Sequence, residues 1–157
     1  MIAWTEAPGV AVRYVVSGPT DAPAVVLLHE LGGSLDSWLE VTPHLERSLR
    51  VLAYDQRGCG QSEKVRAAFT FGDHVRDLMA LIEASGVRTP VHLAGGASGA
   101  ALAVTLAAGR PDLVQSTVLC APAVSIDQDR RAYLRERSAA ANRDGMRAIV
   151  DATLARS

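Results

Sequence analysis

The chain has 157 residues, 48% of them hydrophobic, and sixteen Lys and Arg against seventeen Asp and Glu give it a formal net charge of −1. That balance suits one folded globular unit rather than a disordered segment, and it points to neither nucleic acid nor an anionic membrane surface as a partner. No apolar run reaches the roughly eighteen residues of a spanning helix, and Met1-Ile2-Ala3-Trp4-Thr5-Glu6 lacks the basic region and long apolar core of a signal peptide, so no membrane association and a cytoplasmic location are expected.

Val10 to Ser17 alternates and then meets Gly18-Pro19, which predicts a strand and its stop. Ala24-Val25-Val26-Leu27-Leu28-His29 is a continuous apolar run, the pattern of a strand buried on both faces. Ser34 and Asp36 are cap candidates for a helix whose stripe is Trp38, Val41, Leu45 and Leu49. Leu49 to Tyr54 predicts the next strand. Thr70 and Asp73 resemble a capping box, with Asp in place of the usual Glu. Behind them Val75, Leu78, Met79 and Ile82 form a helical face that Gly86 ends. Pro90 to Ala94 predicts a strand, Ser98 to Gly109 a helix apolar nearly all round, and Ser116 to Ala121 a further strand. Strands alternating with helices predict an α/β fold, a mostly parallel sheet with helices on both faces.

From Asp127 the pattern changes to polar, arginine-rich helix. Arg130, Arg131, Arg135 and Arg137 alternate with acidic residues and read as a solvated face, while Met146, Ile149, Val150 and Leu154 line up as an apolar stripe that needs a partner. Ser116–Ala121 would stand as an unprotected parallel edge. These two features lead us to expect a truncated or cleaved chain whose C-terminal remainder, in the same polypeptide or as a separate chain, is its partner.

Cys59 lies in a glycine-rich turn and Cys120 in an apolar run, where a free thiol behaves as a small buried hydrophobe. Two cysteines make no disulfide framework, and no Cys/His group has metal-ligand spacing, so neither a metal nor a cofactor is expected.

The segment that carries chemistry is Val91-His92-Leu93-Ala94-Gly95-Gly96-Ala97-Ser98-Gly99-Ala100. A strand enters, a turn of small residues follows and a small-residue helix leaves, the setting of a Gly-x-Ser-x-Gly nucleophile elbow. Glycines are needed there because the turn is strained and crowded. The turn lifts one side chain above the sheet and aims the next N–H at the oxygen that becomes negative in a tetrahedral intermediate.

Three further segments follow the same order. His29-Glu30-Leu31-Gly32-Gly33 resembles the His-Gly oxyanion loop of α/β-hydrolases, and Tyr54-Asp55-Gln56-Arg57-Gly58-Cys59-Gly60-Gln61-Ser62 resembles their Asp-x-Arg-Gly-x-Gly-x-Ser turn. Arg110-Pro111-Asp112-Leu113-Val114 resembles the end of the helix behind their elbow. The resemblance is thus to the N-terminal half of the α/β-hydrolase superfamily. It implies a core over 1–126, broken off after its sixth strand, and the start of a helical cap over 127–157. Within the superfamily, Ala139 through Asn142-Arg143-Asp144-Gly145-Met146 to Ala155-Arg156 is similar to the cap of 3-oxoadipate enol-lactonase-like enzymes.

Gly95 and Gly99 bracket Ala97, and counting back from Pro111-Asp112-Leu113-Val114 also lands the family's nucleophile on Ala97. A methyl group cannot attack a carbonyl. Three explanations stand: a serine replaced by alanine, a natural inactive homologue that binds without chemistry, or a shifted elbow, Gly96-Ala97-Ser98-Gly99-Ala100, with Ser98 as nucleophile.

The resemblance assigns the oxyanion hole to the N–H groups of Leu31 and Ser98, and places Glu30 and Leu31 beside the substrate. A carboxylate pointing inward would oppose negative charge, so Glu30 is expected to turn away, onto a loop amide or an arginine. His29 is expected to pack and bond loop backbone rather than act as base, and His44, His74 and His92 lie within helices or a strand. Asp55 and Arg57 are expected to hold their turn through hydrogen bonds and an ion pair. By the family pattern the catalytic acid and histidine follow residue 157. The implied reaction is serine-type hydrolysis of a small carboxylic ester or lactone. A C–C bond hydrolase of the same fold and an inactive ligand-binding protein are the alternatives. The aspartate nucleophile of epoxide hydrolases and haloalkane dehalogenases has no counterpart at this elbow.

Overall fold

A computed structural model describes residues 2–122 and 125–154, with the side chains of 151–154 outside the description. The continuous apolar runs become strands of one six-stranded sheet: β1 (Ile2–Ala7), β2 (Val10–Ser17), β3 (Ala24–Leu28), β4 (Arg50–Tyr54), β5 (Val91–Gly96) and β6 (Val114–Cys120). Their spatial order is β1-β2-β4-β3-β5-β6. β3 pairs in parallel with β4 and β5, β5 in parallel with β6, and β2 runs antiparallel to both β1 and β4.

Burial on both faces explains the uninterrupted hydrophobicity of β3. Val26 and Leu28 join Leu52, Leu93, Leu78, Leu81, Leu102 and Leu106 in a core under α2 (Phe71–Ser85) and α3 (Ser98–Gly109). Val25 and Leu27 face the other way, onto Leu35, Trp38 and Leu45. Helices therefore lie on both faces of a mostly parallel sheet, as the sequence predicts.

Two elements differ from expectation. β1 carried no signal in the sequence because it is an antiparallel edge: Ile2 and Trp4 are exposed and leave no apolar alternation to read. The helix expected through Trp38, Val41, Leu45 and Leu49 is instead a 3₁₀ turn (Leu35–Trp38) and a one-turn α1 (Thr42–Leu45). Pro43 starts α1, and Leu39 and Val41 are exposed, so the stripe is not one buried face. Ser34 does cap the first turn, accepting from the Asp36 N–H at 3.2 Å. The Thr70–Asp73 signal marks the start of α2: Asp73 Oδ2 accepts from the Thr70 backbone N–H at 2.6 Å and from its hydroxyl at 2.7 Å. Gly86, at φ 66, ends that helix.

The chain divides into two compact units, Met1–Ala123 and Val124–Ser157. In the second, α4 (Gln128–Asp144) begins at Asp127, whose carboxylate accepts from the Arg130 N–H at 2.7 Å. α4 packs on α5 (Met146–Leu154). Of the stripe expected there, Ile149 is buried while Met146 and Val150 are exposed, and the Leu154 side chain lies outside the described residues. Among the described residues no helix is long and apolar enough to cross a membrane.

Candidate active site

β5 delivers the chain to the C-terminal edge of the sheet, and α3 leaves from it within one residue. That residue is Ala97, at φ 47 and ψ −107, a conformation that L side chains rarely adopt. Its N–H donates to the Cys120 carbonyl at the end of β6, 2.9 Å away, and its own carbonyl accepts the Ala101 N–H at 3.1 Å. Ser98 is the first residue of α3.

The glycines around the turn differ in what they tolerate. A Cβ on Gly95 would lie 2.5 Å from the Gly99 carbonyl carbon and oxygen, and one on Gly99 would lie 2.1 Å from Leu28 O and 2.6 Å from His29 O. A Cβ on Gly96 would meet nothing within 4 Å. The positions that must be glycine are therefore 95 and 99, with Ala97 midway between them. The Gly99 contacts also show that the helix behind the elbow presses on the backbone at the root of the loop after β3, the loop that carries Leu31.

In that loop Gly32, at φ 85, lets the chain reverse so that the Gly33 N–H reaches Glu30 O at 3.0 Å. Leu31 sits at the tip with its side chain 69% exposed. The Glu30 carboxylate accepts from Ser37 Oγ at 3.1 Å. It is satisfied locally, by a hydroxyl rather than by the amide or arginine expected.

His29 is buried and bonds loop backbone: its Nδ1 lies 2.8 Å from Glu30 O, and its Nε2 is 3.0 Å from the Gln56 N–H. His44 bonds Arg47, His74 stacks edge-on with Phe69, and His92 bonds Ser116. None of the four shares a hydrogen bond with Ala97 or Ser98. The Cys59 thiol is pushed up by burial, the largest cause, which keeps it protonated and a weak nucleophile. Among the described residues no group of three or more His, Cys, Asp or Glu could hold a metal ion.

The turn after β4 is fixed by two separate ion pairs, whose partners sequence reasoning missed. Buried Asp55 accepts from Arg13 at 3.2 Å, from the Leu35 N–H at 2.8 Å and from the Gln61 N–H at 2.8 Å. Arg57 grips Asp77 of α2 bidentately, both bonds at 2.6 Å, and its guanidinium also lies 5.6 Å from the Phe69 ring centre. These partners are 42 and 20 residues away in sequence, so no local pattern could announce them.

A cavity of about 570 Å³ lined by Met79, Ile82, Val87, Leu113, Arg76 and Arg110 lies elsewhere. Val87 and Leu113 precede β5 and β6, so it opens at the strands' N-terminal ends, opposite the elbow. In open parallel sheets ligands bind beyond the carboxyl ends of the strands, and the strained turn is there. The candidate site is the elbow.

The family model for the alpha/beta hydrolase fold matches residues 23–148. A haloalkane dehalogenase of Bradyrhizobium diazoefficiens is 41% identical over 107 residues, 68% of this chain and 34% of the relative. A bifunctional esterase/perhydrolase of Acinetobacter calcoaceticus is 32% identical over 116 residues, 73% of this chain and 42% of the relative. The crystal structure of the enol-lactonase from Burkholderia xenovorans superposes with a TM-score of 0.89 at 28% identity, covering 97% of this chain and 58% of that one. The chain thus spans about two-fifths or less of these two curated relatives. With its sheet order, its elbow and a family match over most of its length, the chain belongs to the α/β-hydrolase fold family.

Proposed function

We propose that this chain carries the nucleophile turn and oxyanion loop of a serine-type hydrolase acting on a small carboxylic ester or lactone, with Ala97 standing where the nucleophile works. The observation that carries the reading is the backbone of that turn: a non-glycine residue at φ 47 between two glycines that no Cβ could replace. Strain of this kind persists where a side chain must be presented to a ligand. The same contacts favour position 97 over 98, because the shifted elbow would need glycine at 96, where space is open.

In the reaction, a serine at 97 gives its proton to a histidine as its oxygen bonds the carbonyl carbon. The oxyanion is held by the Leu31 and Ser98 N–H groups, and Leu31 and Glu30 border the substrate. Collapse expels the alcohol, which takes the proton from the histidine, and water then releases the acid. The histidine, the carboxylate that orients it and most of the cap belong to a C-terminal remainder, the cap beginning in residues 127–157. Likeness to an enol-lactonase over 97% of the chain supports a lactone, and likeness to an esterase/perhydrolase supports an ester. An aspartate-nucleophile dehalogenation has no carboxylate at 97 to use. A C–C bond hydrolase would run on the same turn.

The methyl of Ala97 itself favours a second reading, a hydrolase-like protein that binds such ligands without cleaving them. Turnover of p-nitrophenyl acetate and of an enol-lactone separates the two, measured with the C-terminal remainder present. Ala97→Ser should raise hydrolysis on the order of a million-fold, because nucleophile and base act as a unit. Absence of turnover with ligand binding retained transfers support to the binding reading. Turnover by the alanine form that disappears in Ser98→Ala would make Ser98 the nucleophile.

A further inference from the structure

One unneutralised charge stands close to the elbow. The loop after β3 touches the helix behind the turn, since a Cβ on Gly99 would lie 2.6 Å from His29 O, and Glu30 begins one Cα step, about 3.8 Å, beyond that residue. Its carboxylate is fixed in place. Ser37 Oγ donates to Glu30 Oε1 at 3.1 Å, and the Ser34 N–H donates to Ser37 Oγ at 3.4 Å, so the hydroxyl that holds the carboxylate is itself held. A Cβ on Gly33 would come 2.5 Å from Glu30 Oε1 and 2.7 Å from its Cδ, which shows the side chain folded back over the loop's own backbone.

Nothing nearby cancels that charge. Among the described residues no cation pairs with Glu30. The cations around the neighbouring turn are engaged elsewhere: Arg13 with Asp55, Arg57 with Asp77, and Lys64 Nζ with the carbonyls of Gly60 and Ser62. The elbow from Gly95 to Ala101 has no charged side chain. A hydroxyl satisfies hydrogen bonding without neutralising, so a full negative charge stays fixed next in sequence to the Leu31 donor.

We propose that Glu30 is a specificity-determining residue that reads the charge of the substrate: it favours esters and lactones with a cationic group near the carbonyl and disfavours those with a carboxylate there. The inference rests on the hydrolase reading above, because it takes the elbow and Leu31 as the place where the carbonyl sits. Anchored on Ser37, the Glu30 carboxylate leaves the Leu31 N–H to a ligand, yet its charge still acts on whatever that ligand carries. Attraction of a cation and repulsion of an anion add. At a separation of about 8 Å near a protein surface, the two affinities should differ by about tenfold.

Three acetate esters test this: acetylcholine, its uncharged carbon isostere 3,3-dimethylbutyl acetate, and 3-acetoxypropanoate, which puts a carboxylate where acetylcholine has its ammonium. Because Ala97 offers no nucleophile, each can be titrated as the intact ester, with the C-terminal remainder present and occupancy read from the Leu31 and Ser98 amide shifts. In low salt acetylcholine should bind about tenfold more tightly than 3-acetoxypropanoate, with the neutral ester between them. In about 1 M NaCl, where the screening length is about 3 Å, the unaltered protein should lose most of that ratio. Glu30→Gln keeps the oxygen that accepts from Ser37 Oγ and removes the charge, so the ratio should fall to near one. Equal binding of the two charged esters in low salt overturns the proposal, and so does a ratio that survives Glu30→Gln. If the neutral ester moves both amides while charge makes no difference, the selector role fails and the hydrolase reading stands. If no ester moves either amide, the hydrolase reading itself fails and takes the proposal with it.

Discussion

Adding one methyl group at Gly99 is the sharpest test of where the elbow lies. Its Cβ would stand 2.1 Å from Leu28 O and 2.6 Å from both Leu28 C and His29 O. The first distance is more than about 1 Å inside ordinary contact, and every atom met is backbone of the buried residues Leu28, at the end of β3, and His29, just after it, so no side chain can swing aside. Overpacking a well-filled core costs about 1–3 kcal/mol and occasionally more, and three backbone clashes place Gly99→Ala at about 3 kcal/mol or above. With a urea slope of about 2 kcal/mol/M, the unfolding midpoint should fall by about 1.5 M. Gly96→Ala is the internal control. Its Cβ meets nothing within 4 Å and its φ is not in the left-handed region. It should shift stability by less than about 1 kcal/mol, in either direction, because alanine there also restricts the unfolded chain. Equal losses at 96 and 99, or a neutral Gly99→Ala, would refute the reasoning that fixes position 97 at the turn.

Two other perturbations follow from the ion pairs and the cap. Arg57→Ala strands the buried Asp77 carboxylate, so urea unfolding should show a loss of about 3–5 kcal/mol, whereas replacing both partners by apolar residues should cost far less. Bonds from Thr70 hold the Asp73 carboxyl near 2, below its ordinary 3.8. Because the folded value is the lower one, the stabilisation is present above about pH 4 and is lost as pH falls toward 2. The Tm gap between the chain and Asp73→Asn should close across that window, and a gap that stays constant to pH 2 would show that the capping bond contributes nothing.

What the sequence disclosed was whatever obeys a short period or a fixed spacing. Two-sided burial wrote itself into Ala24–Leu28, the Thr70–Asp73 pair announced the start of α2, and Gly95 and Gly99 framed Ala97. What it hid depends on contacts between distant residues. Arg13 and Asp77 look like ordinary surface charges until the fold buries them beside Asp55 and Arg57. Gln56 looked like filler within the Asp-x-Arg-Gly turn, because its hydrogen bonds go to a residue 27 positions earlier. β1 was missed for the opposite reason, since an exposed antiparallel edge imposes no apolar pattern. The break between the 3₁₀ turn and α1 could have been suspected from Pro43, which favours the first turn of a helix over its middle.

Asp55 has a consequence for motion. One carboxylate at the end of β4 ties down β2 through Arg13, the start of the 3₁₀ turn through the Leu35 N–H, and the far side of its own loop through the Gln61 N–H. A Cβ at Gly60 would sit 2.2 Å from its Cγ, so the loop is wrapped directly against it. None of the three segments can swing open without stripping a buried anion of a donor. They open together or not at all, which makes this side of the rim a single cooperative unit with the sheet. Whatever gating the site requires must come from elements that Asp55 does not hold.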